Sequence, residues 1–277
     1  MIRLAADSSC DVYTLENVDF RAVPLTISTD DGASFLDDSR LDVGEMVHKL
    51  HGCRGRSYTA CPSVAAWLEA FEGADTVYAV TITSGLSGSY NSARVAADLY
   101  QQAKPEASVH VFDSLSTGPE VLLLLEKLRQ LIAQGLDFEE VVAQAEAYKE
   151  KTRLFFSLHS LHNLAQNGRV HKLAAAAVGV MNLRVIGTAS PEGTLSTIGK
   201  ARGDRRAAAE LLDQMIKAGW KGGRVRITHV QNEAAARFLA EHLATAYPEA
   251  DITFAPAGGL CSYYAEKGSL MIGLEIG

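Results

Sequence analysis

What the sequence has little of narrows its function before anything else. Four cysteines in 277 residues, Cys10, Cys53, Cys61 and Cys261, are too few and too widely spaced for a disulfide framework, and no Cys-x-x-Cys pair offers a zinc or redox motif. They read as reduced thiols. The seven prolines are scattered, so no proline-rich linker is present. The longest apolar runs, at 121–125 and 173–183, fall short of the roughly 20 residues a bilayer-spanning helix needs, and no stable membrane anchor is expected. Basic side chains are outnumbered, 26 against 33 acidic ones for a net charge of −7, and no Lys/Arg-rich arm offsets the balance locally; broad nucleic-acid binding is not expected. Met1 to Asp7 reaches an acidic residue without a long apolar segment or cleavage site, which does not read as a secretion signal, so the expected compartment is the cytoplasm.

Nucleotide motifs are missing too. Gly-x-Gly-x-x-Gly is absent, and no lysine lies between Thr76 and Ala93, where a nucleoside-triphosphate loop would want Gly-Lys-Ser/Thr. What is present is a composition of 47% hydrophobic and 21% charged residues, that of a globular chain long enough for about two domains. Short β-branched or apolar runs at 2–5, 23–27, 77–82 and 109–112 alternate with segments of helical period at 43–50, 63–71, 89–102, 120–133 and 138–149, the fourth stopped by Gly135. This α/β order predicts a three-layer sandwich around a mostly parallel sheet for residues 1–155.

After a strand at 153–158 the pattern changes. A short helix, an alanine-rich stretch at 173–177 and a hairpin turn at Pro191-Glu192-Gly193 are followed by helices at 204–218 and 233–246 and strands at 224–230, 252–254 and 270–276. These predict a second α/β lobe with a mixed sheet over residues 156–277, with a ligand cleft between the lobes.

Between the strand ending near Ile82 and the next helix lies Thr83-Ser84-Gly85-Leu86-Ser87-Gly88-Ser89-Tyr90. A glycine-rich turn at the carboxyl end of a parallel strand aims backbone N–H groups and the positive end of a helix dipole outward, a setting for an oxyanion. With no lysine, the hydroxyls of Ser84, Ser87 and Ser89 suit a small, singly charged group such as a carboxylate. A second loop, Ser57 to Ser63, carries Thr59 just before a helix that Ser63 caps.

Two other chemistries fit parts of the sequence. Ser87 sits where a nucleophile elbow would, with Asp113 and His159 following in Ser-Asp-His order, as in a serine hydrolase of lipids or esters, although the elbow's final glycine is missing. His48-x-x-His51 with Cys53, and His159-x-x-His162 with His171, have one-face helical spacing, but eight histidines produce such pairs readily and no metal is expected.

Taken in order, the motifs resemble those of the DegV family of bacterial fatty-acid-binding proteins, whose patterns run Thr-Ser-x-Pro-Ser, Ser-x-Leu-Ser-Gly-Thr-Tyr and Gly-Gly-Arg-Ile. The matching residues here are Asp7-Ser8, Val23-Pro24-Leu25, Thr59-x-x-Pro62-Ser63, Ser84 to Tyr90, Asp113-Ser114, Asn167-Gly168-Arg169-Val170, Asn182-Leu183-Arg184 and Lys200-Ala201-Arg202-Gly203. The resemblance implies a two-lobed carrier, not itself an enzyme and without a cofactor, that buries one long-chain fatty acid. It places the carboxylate on Thr59, Ser87 and N–H groups near Gly88, with Arg169 on the anion side. It further implies presentation of the acid to a separate fatty acid kinase related to dihydroxyacetone kinases, with Lys200 and Arg202 as docking positions. Three departures from the pattern fall on four positions. Ala60 and Cys61 replace the usual Ser and Gln. Asn167 replaces a glycine, a change eased by the readiness of Asn to enter left-handed conformations. Tyr264 stands where kinase-linked relatives carry a histidine, which weakens the expected coupling to a kinase and makes Tyr264 a ligand-side position.

Overall fold

The computed structural model describes residues 1–53, 55–170 and 182–276. The chain opens with β1 (Ile2–Asp7), a 3-10 turn (Ser8–Cys10), β2 (Asp19–Val23), β3 (Thr26–Thr29), β4 (Ser34–Leu36) and α1 (Val43–Gly52). Next come β5 (Ser57–Ala60), α2 (Val64–Phe71), β6 (Thr76–Thr81), α3 (Ser89–Ala103), β7 (Ser108–Asp113), α4 (Pro119–Ala133) and α5 (Phe138–Lys149). The remainder is β8 (Thr152–Leu158), α6 (His162–Gln166), β9 (Leu183–Ala189), β10 (Leu195–Arg202), α7 (Asp204–Lys217), β11 (Val225–His229), α8 (Glu233–Ala246), β12 (Ile252–Pro256), α9 (Gly259–Ala265) and β13 (Leu270–Glu275).

The first sheet, ordered β2-β1-β6-β7, is parallel throughout. Side-chain alternation divides its strands between two helical layers. Leu4, Ala6, Tyr78 and Val80 pack against α4 and α5, while Ala5, Val77 and Ala79 pack against α2 and α3. Local signals place the helix ends as expected. Ser63 accepts from Ala66 N at the start of α2, Asp137 and Glu140 form a capping box on α5, and Gly135 follows α4 at φ +71°.

One predicted strand divides in two. The run 23–27 ends β2 at Val23 and begins β3 at Thr26, because Pro24 has no N–H to continue a ladder and the Leu25 N–H turns to Ser8 Oγ at 3.0 Å. β3 then joins a separate antiparallel sheet, β4-β3-β5, that brings Thr59 opposite Ile27.

The second sheet is mixed, ordered β10-β9-β8-β13-β11-β12, with β11 and β12 parallel and the other pairs antiparallel. β9 and β10 form the hairpin expected around Pro191-Glu192-Gly193. Phe155, Ile186, Ile227 and Ile272 face α7 and α8, and Leu154, Phe156, Leu158, Val185 and Met271 face the other way, toward the first half of the molecule. The expected division between residues 155 and 156 cuts through β8, which pairs with β13 from Thr152 onward, so the change of sheet comes before Thr152. The alanine-rich stretch 173–177 and His171 lie outside the described residues.

The two halves share elements. α4 packs on the first sheet through Val121, Leu124 and Leu128 and also meets the second: a Cβ on Gly273 of β13 would lie 2.5 Å from the Pro119 carbonyl carbon. Glu126 of α4 accepts from Arg226 Nε of β11 at 2.9 Å, and Arg226 Nη2 reaches Asp251 at 2.7 Å. α9, late in the sequence, packs against α1, β3 and the Ser8–Cys10 turn. Among the described residues no helix is long and apolar enough to cross a membrane.

Candidate functional site

The loop after β6 is anchored from beneath by Asp7. Its Oδ2 accepts from Ile82 N at 2.9 Å and from Ser89 Oγ at 2.6 Å, and its Oδ1 accepts from Ser9 Oγ at 2.6 Å. Burial pushes this carboxyl up, and the hydrogen bonds oppose the shift. Ser89 is therefore a buried strut rather than a ligand donor. Ser84 is exposed, and its N–H donates to Asp113 Oδ1 at 3.0 Å. Of the three serines named from the sequence, Ser87 alone lines the cavity behind the loop. Its Oγ accepts from Ser89 N at 3.2 Å, which leaves the hydroxyl proton to point elsewhere. Gly88 caps α3 without a side chain, and its N–H has no acceptor among the described residues.

Thr59 reaches the same cavity from β5, and its Oγ1 lies 2.7 Å from the hydroxyl of Tyr264 on α9. Either oxygen can donate in that pair. Burial pushes the Tyr264 phenol up, with the Thr59 bond and the Arg169 charge acting against it, so the phenol is a neutral donor at ordinary pH. Arg169 also lines the cavity; its Nε donates to Leu86 O at 3.3 Å and its Nη1 to Asn167 O.

Asn167 corrects an expectation. Its φ is −99°, and the left-handed residue is the following Gly168 at +71°. Asn167 uses its side chain instead: Nδ2 donates to the Tyr263 hydroxyl at 2.9 Å and to Asn163 O at 2.9 Å, tying α6 to α9.

The cavity measures about 310 Å³. Thr59, Cys61, Ser87, Gly88, Arg169 and Tyr264 contribute its polar side, and Leu25, Ile82, Leu86, Leu154, Phe156, Leu158, Leu164, Leu195, Leu260 and Met271 its apolar walls. Thr117 and Cys261, whose side chains meet at 3.7 Å, also line it, so the Thr59–Ser87–Tyr264 group can satisfy a small anion while most of the remaining wall is hydrocarbon.

Two supports of this site carried no recognisable signal in the sequence. α9 begins on carboxylates from the first half: Asp37 accepts from Gly259 N at 2.8 Å, Leu260 N at 2.9 Å and the Tyr13 hydroxyl at 2.6 Å, and Asp11 Oδ1 accepts from Gly258 N at 2.9 Å. Burial pushes the Asp37 carboxyl up and the Asp11 carboxyl up to about 7. The β9–β10 hairpin tip also docks on the Ser87 loop, with Thr83 Oγ1 donating to Gly193 O at 2.9 Å.

Other expected groupings do not form. Asp113 Oδ1 is occupied by Ser84 N and, at 3.2 Å, Leu115 N, and His159 Nδ1 lies 3.3 Å from Lys267 O; neither residue lines the cavity with Ser87, so the hydrolase triad is not assembled. Lys200 and Arg202 are exposed on β10 beside a shallow groove with Arg206, Glu210 and Asp213, away from the cavity. Among the described residues no three His, Cys, Asp or Glu side chains gather as a metal-ligand set.

Comparison with known proteins gives this architecture its relatives. The profile described as "Uncharacterised protein, DegV family" matches residues 1–276. A DegV domain-containing protein of Streptococcus pneumoniae is 45% identical, with 99% of each chain covered. A DegV family protein from Eubacterium eligens, solved loaded with heptadecanoic acid, superposes with a TM-score of 0.97 at 50% identity, covering 100% of both chains. The Streptococcus pneumoniae Fatty Acid Kinase B3 protein, solved loaded with linoleic acid, gives a TM-score of 0.96 at 45% identity over 100% of this chain and 99% of that one. With the profile spanning nearly its whole length, this chain belongs to the DegV family.

Proposed function

We propose that this protein is a carrier that binds one long-chain fatty acid in the cavity between its sheets. The observation that carries the reading is the meeting of Thr59, from β5, and Ser87, from the loop after β6, on one cavity whose remaining walls are mostly hydrocarbon. The relatives from Eubacterium eligens and Streptococcus pneumoniae, solved with heptadecanoic and linoleic acid, support the ligand class.

In this reading the Ser87 hydroxyl, the Thr59–Tyr264 pair and the Gly88 N–H hydrogen-bond the carboxylate, and Arg169 supplies positive charge on its outer side. Burying a sixteen-carbon chain at about 0.8 kcal/mol per methylene gains on the order of 12 kcal/mol before ordering costs, so the tail holds the lipid and the head group requires only satisfied hydrogen bonds. A head-group loop without lysine leaves a carboxylate oxygen free to accept a phosphoryl group. That fits presentation in the cytoplasm to a separate dihydroxyacetone-kinase-like fatty acid kinase, which the name of the B3 relative also suggests. ATP chemistry belongs to that partner, and Lys200 and Arg202 are candidate docking positions for it.

The test is acid binding by Thr59→Ala and Ser87→Ala, followed by native mass spectrometry and a fluorescent fatty-acid titration. Each substitution is expected to weaken binding about tenfold, the effect of losing one hydrogen bond to a charged group. Affinities within twofold of the parent for both would remove these residues from the head-group site.

A further inference from the structure

β8 and β9 run antiparallel with Phe156 directly opposite Gly187, so the two positions face the same side of the sheet. On β8 that side carries Leu154, Phe156 and Leu158, all of which line the cavity, whereas Phe155 between them enters the core under α7 and α8. On β9 the neighbours of Gly187 on the cavity side, Val185 and Ala189, pack in the same cluster as Phe156. Gly187 is the position of that row with no side chain to contribute.

The Phe156 ring occupies the missing side chain's place. A Cβ built on Gly187 would lie 2.2 Å from both Cε2 and Cζ of Phe156 and 2.6 Å from Ser196 O, where carbon atoms in contact sit about 3.5–4.0 Å apart. The ring therefore lies against bare backbone of β9 while also forming part of the cavity wall. A methyl at 187 would force the ring off the strand by more than an ångström, toward the cavity, because the sheet itself blocks the opposite direction.

We propose that Phe156 and Gly187 together set the length of acyl chain this cavity accepts: Gly187 provides the bay that keeps the Phe156 ring withdrawn, and the ring marks the limit of the space. This rests on the fatty-acid reading and assigns a specificity determinant within it. Room for one more methylene is worth about fourfold in affinity for an acid long enough to use it.

The experiment is competitive native mass spectrometry of parent, Phe156→Leu and Gly187→Ala against an equimolar mixture of saturated acids of twelve to twenty carbons, with a thermal melt of each protein. Phe156→Leu is expected to raise the bound ratio of the twenty-carbon to the fourteen-carbon acid at least fourfold over the parent, and Gly187→Ala to lower it at least tenfold. A ratio unchanged within twofold in Phe156→Leu overturns the inference while leaving the carrier intact. If Gly187→Ala does not fold, the Phe156→Leu ratio decides alone. A parent that retains no acid of any length overturns both the inference and the reading beneath it.

Discussion

Asp11 shows how much a single side chain can couple this fold to pH. Burial lifts its carboxyl to about 7; Oδ1 is satisfied by Gly258 N, but Oδ2 is buried without a hydrogen-bond partner, close to Asp37, Thr228 and the Cys261 thiol. In the unfolded chain the same group titrates near an ordinary carboxyl value of about 3.9. Between those two values the folded state keeps a proton that the unfolded state has lost, so the stability this group allows is complete below about pH 4 and declines as the pH rises toward 7. Asp11→Asn keeps an oxygen for Gly258 N and has nothing to titrate. It is expected to be more stable than the parent at pH 8 by a margin that shrinks at pH 5, by about 1.4 kcal/mol for each unit of pKa difference removed. Thermal melts at both pH values check this, and parallel pH profiles for the two proteins would refute it. Nothing in the sequence singled out Asp11, because its environment is made by α9, nearly 250 positions later.

At the scale of elements, legibility followed periodicity. α5 and α8 lie where their apolar spacing puts them, at Phe138–Lys149 and Glu233–Ala246, because each is long enough for the spacing to repeat, and α5 has a capping box at its start besides. α9 has seven residues, too few for a period, and starts where Asp37 and Asp11 reach its N–H groups; the candidate site residue Tyr264 could be named from a resemblance, but not the helix that aims it. The three-stranded sheet was equally hidden, since β4 is three residues long and β3 looked like the end of a longer strand. The β9–β10 hairpin was readable as a turn, yet its docking on the Ser87 loop was not. Gly193 at its tip has φ +72°, and a Cβ there would lie 2.0 Å from Thr83 Oγ1 and 3.1 Å from Leu115 Cα. Gly193→Ala is expected to cost about 1–3 kcal/mol through the left-handed backbone and the displaced Thr83 bond. It should also speed hydrogen exchange in the Thr83–Gly88 loop. Urea unfolding and exchange measurements test both, and unchanged stability and exchange would show that the hairpin merely rests on the loop.

The molecule's two larger sheets do not make two independent cores, since α4 packs on both. Its tryptophans allow the consequence to be measured. Trp67 is buried among α2 and α3 beside the first sheet, and Trp220 is buried under the second, so Trp67→Phe and Trp220→Phe each leave one reporter for one half. With Gly273 seated against the start of α4, Arg226 paired to Glu126, and α9 held by Asp37, unfolding one half exposes apolar surface and buried charge of the other. Both reporters are expected to follow one urea transition with the same midpoint. Glu126→Ala removes the α4 side of the bridge. Arg226 and Glu126 are 9% and 16% exposed in their side chains, and Asp251, the remaining partner, is more than half exposed, so Arg226 would keep only a solvated counter-charge. The expected cost is on the order of 2–3 kcal/mol, smaller than for an arginine left with no partner at all. It should fall on the contact between halves, so in Glu126→Ala the Trp220 signal is lost at lower urea than the Trp67 signal, with the parent showing no such separation. Midpoints that stay coincident in the variant would mean that the apolar seam of α4 alone couples the halves; midpoints already separate in the parent would mean that the cavity lies between two bodies that open independently.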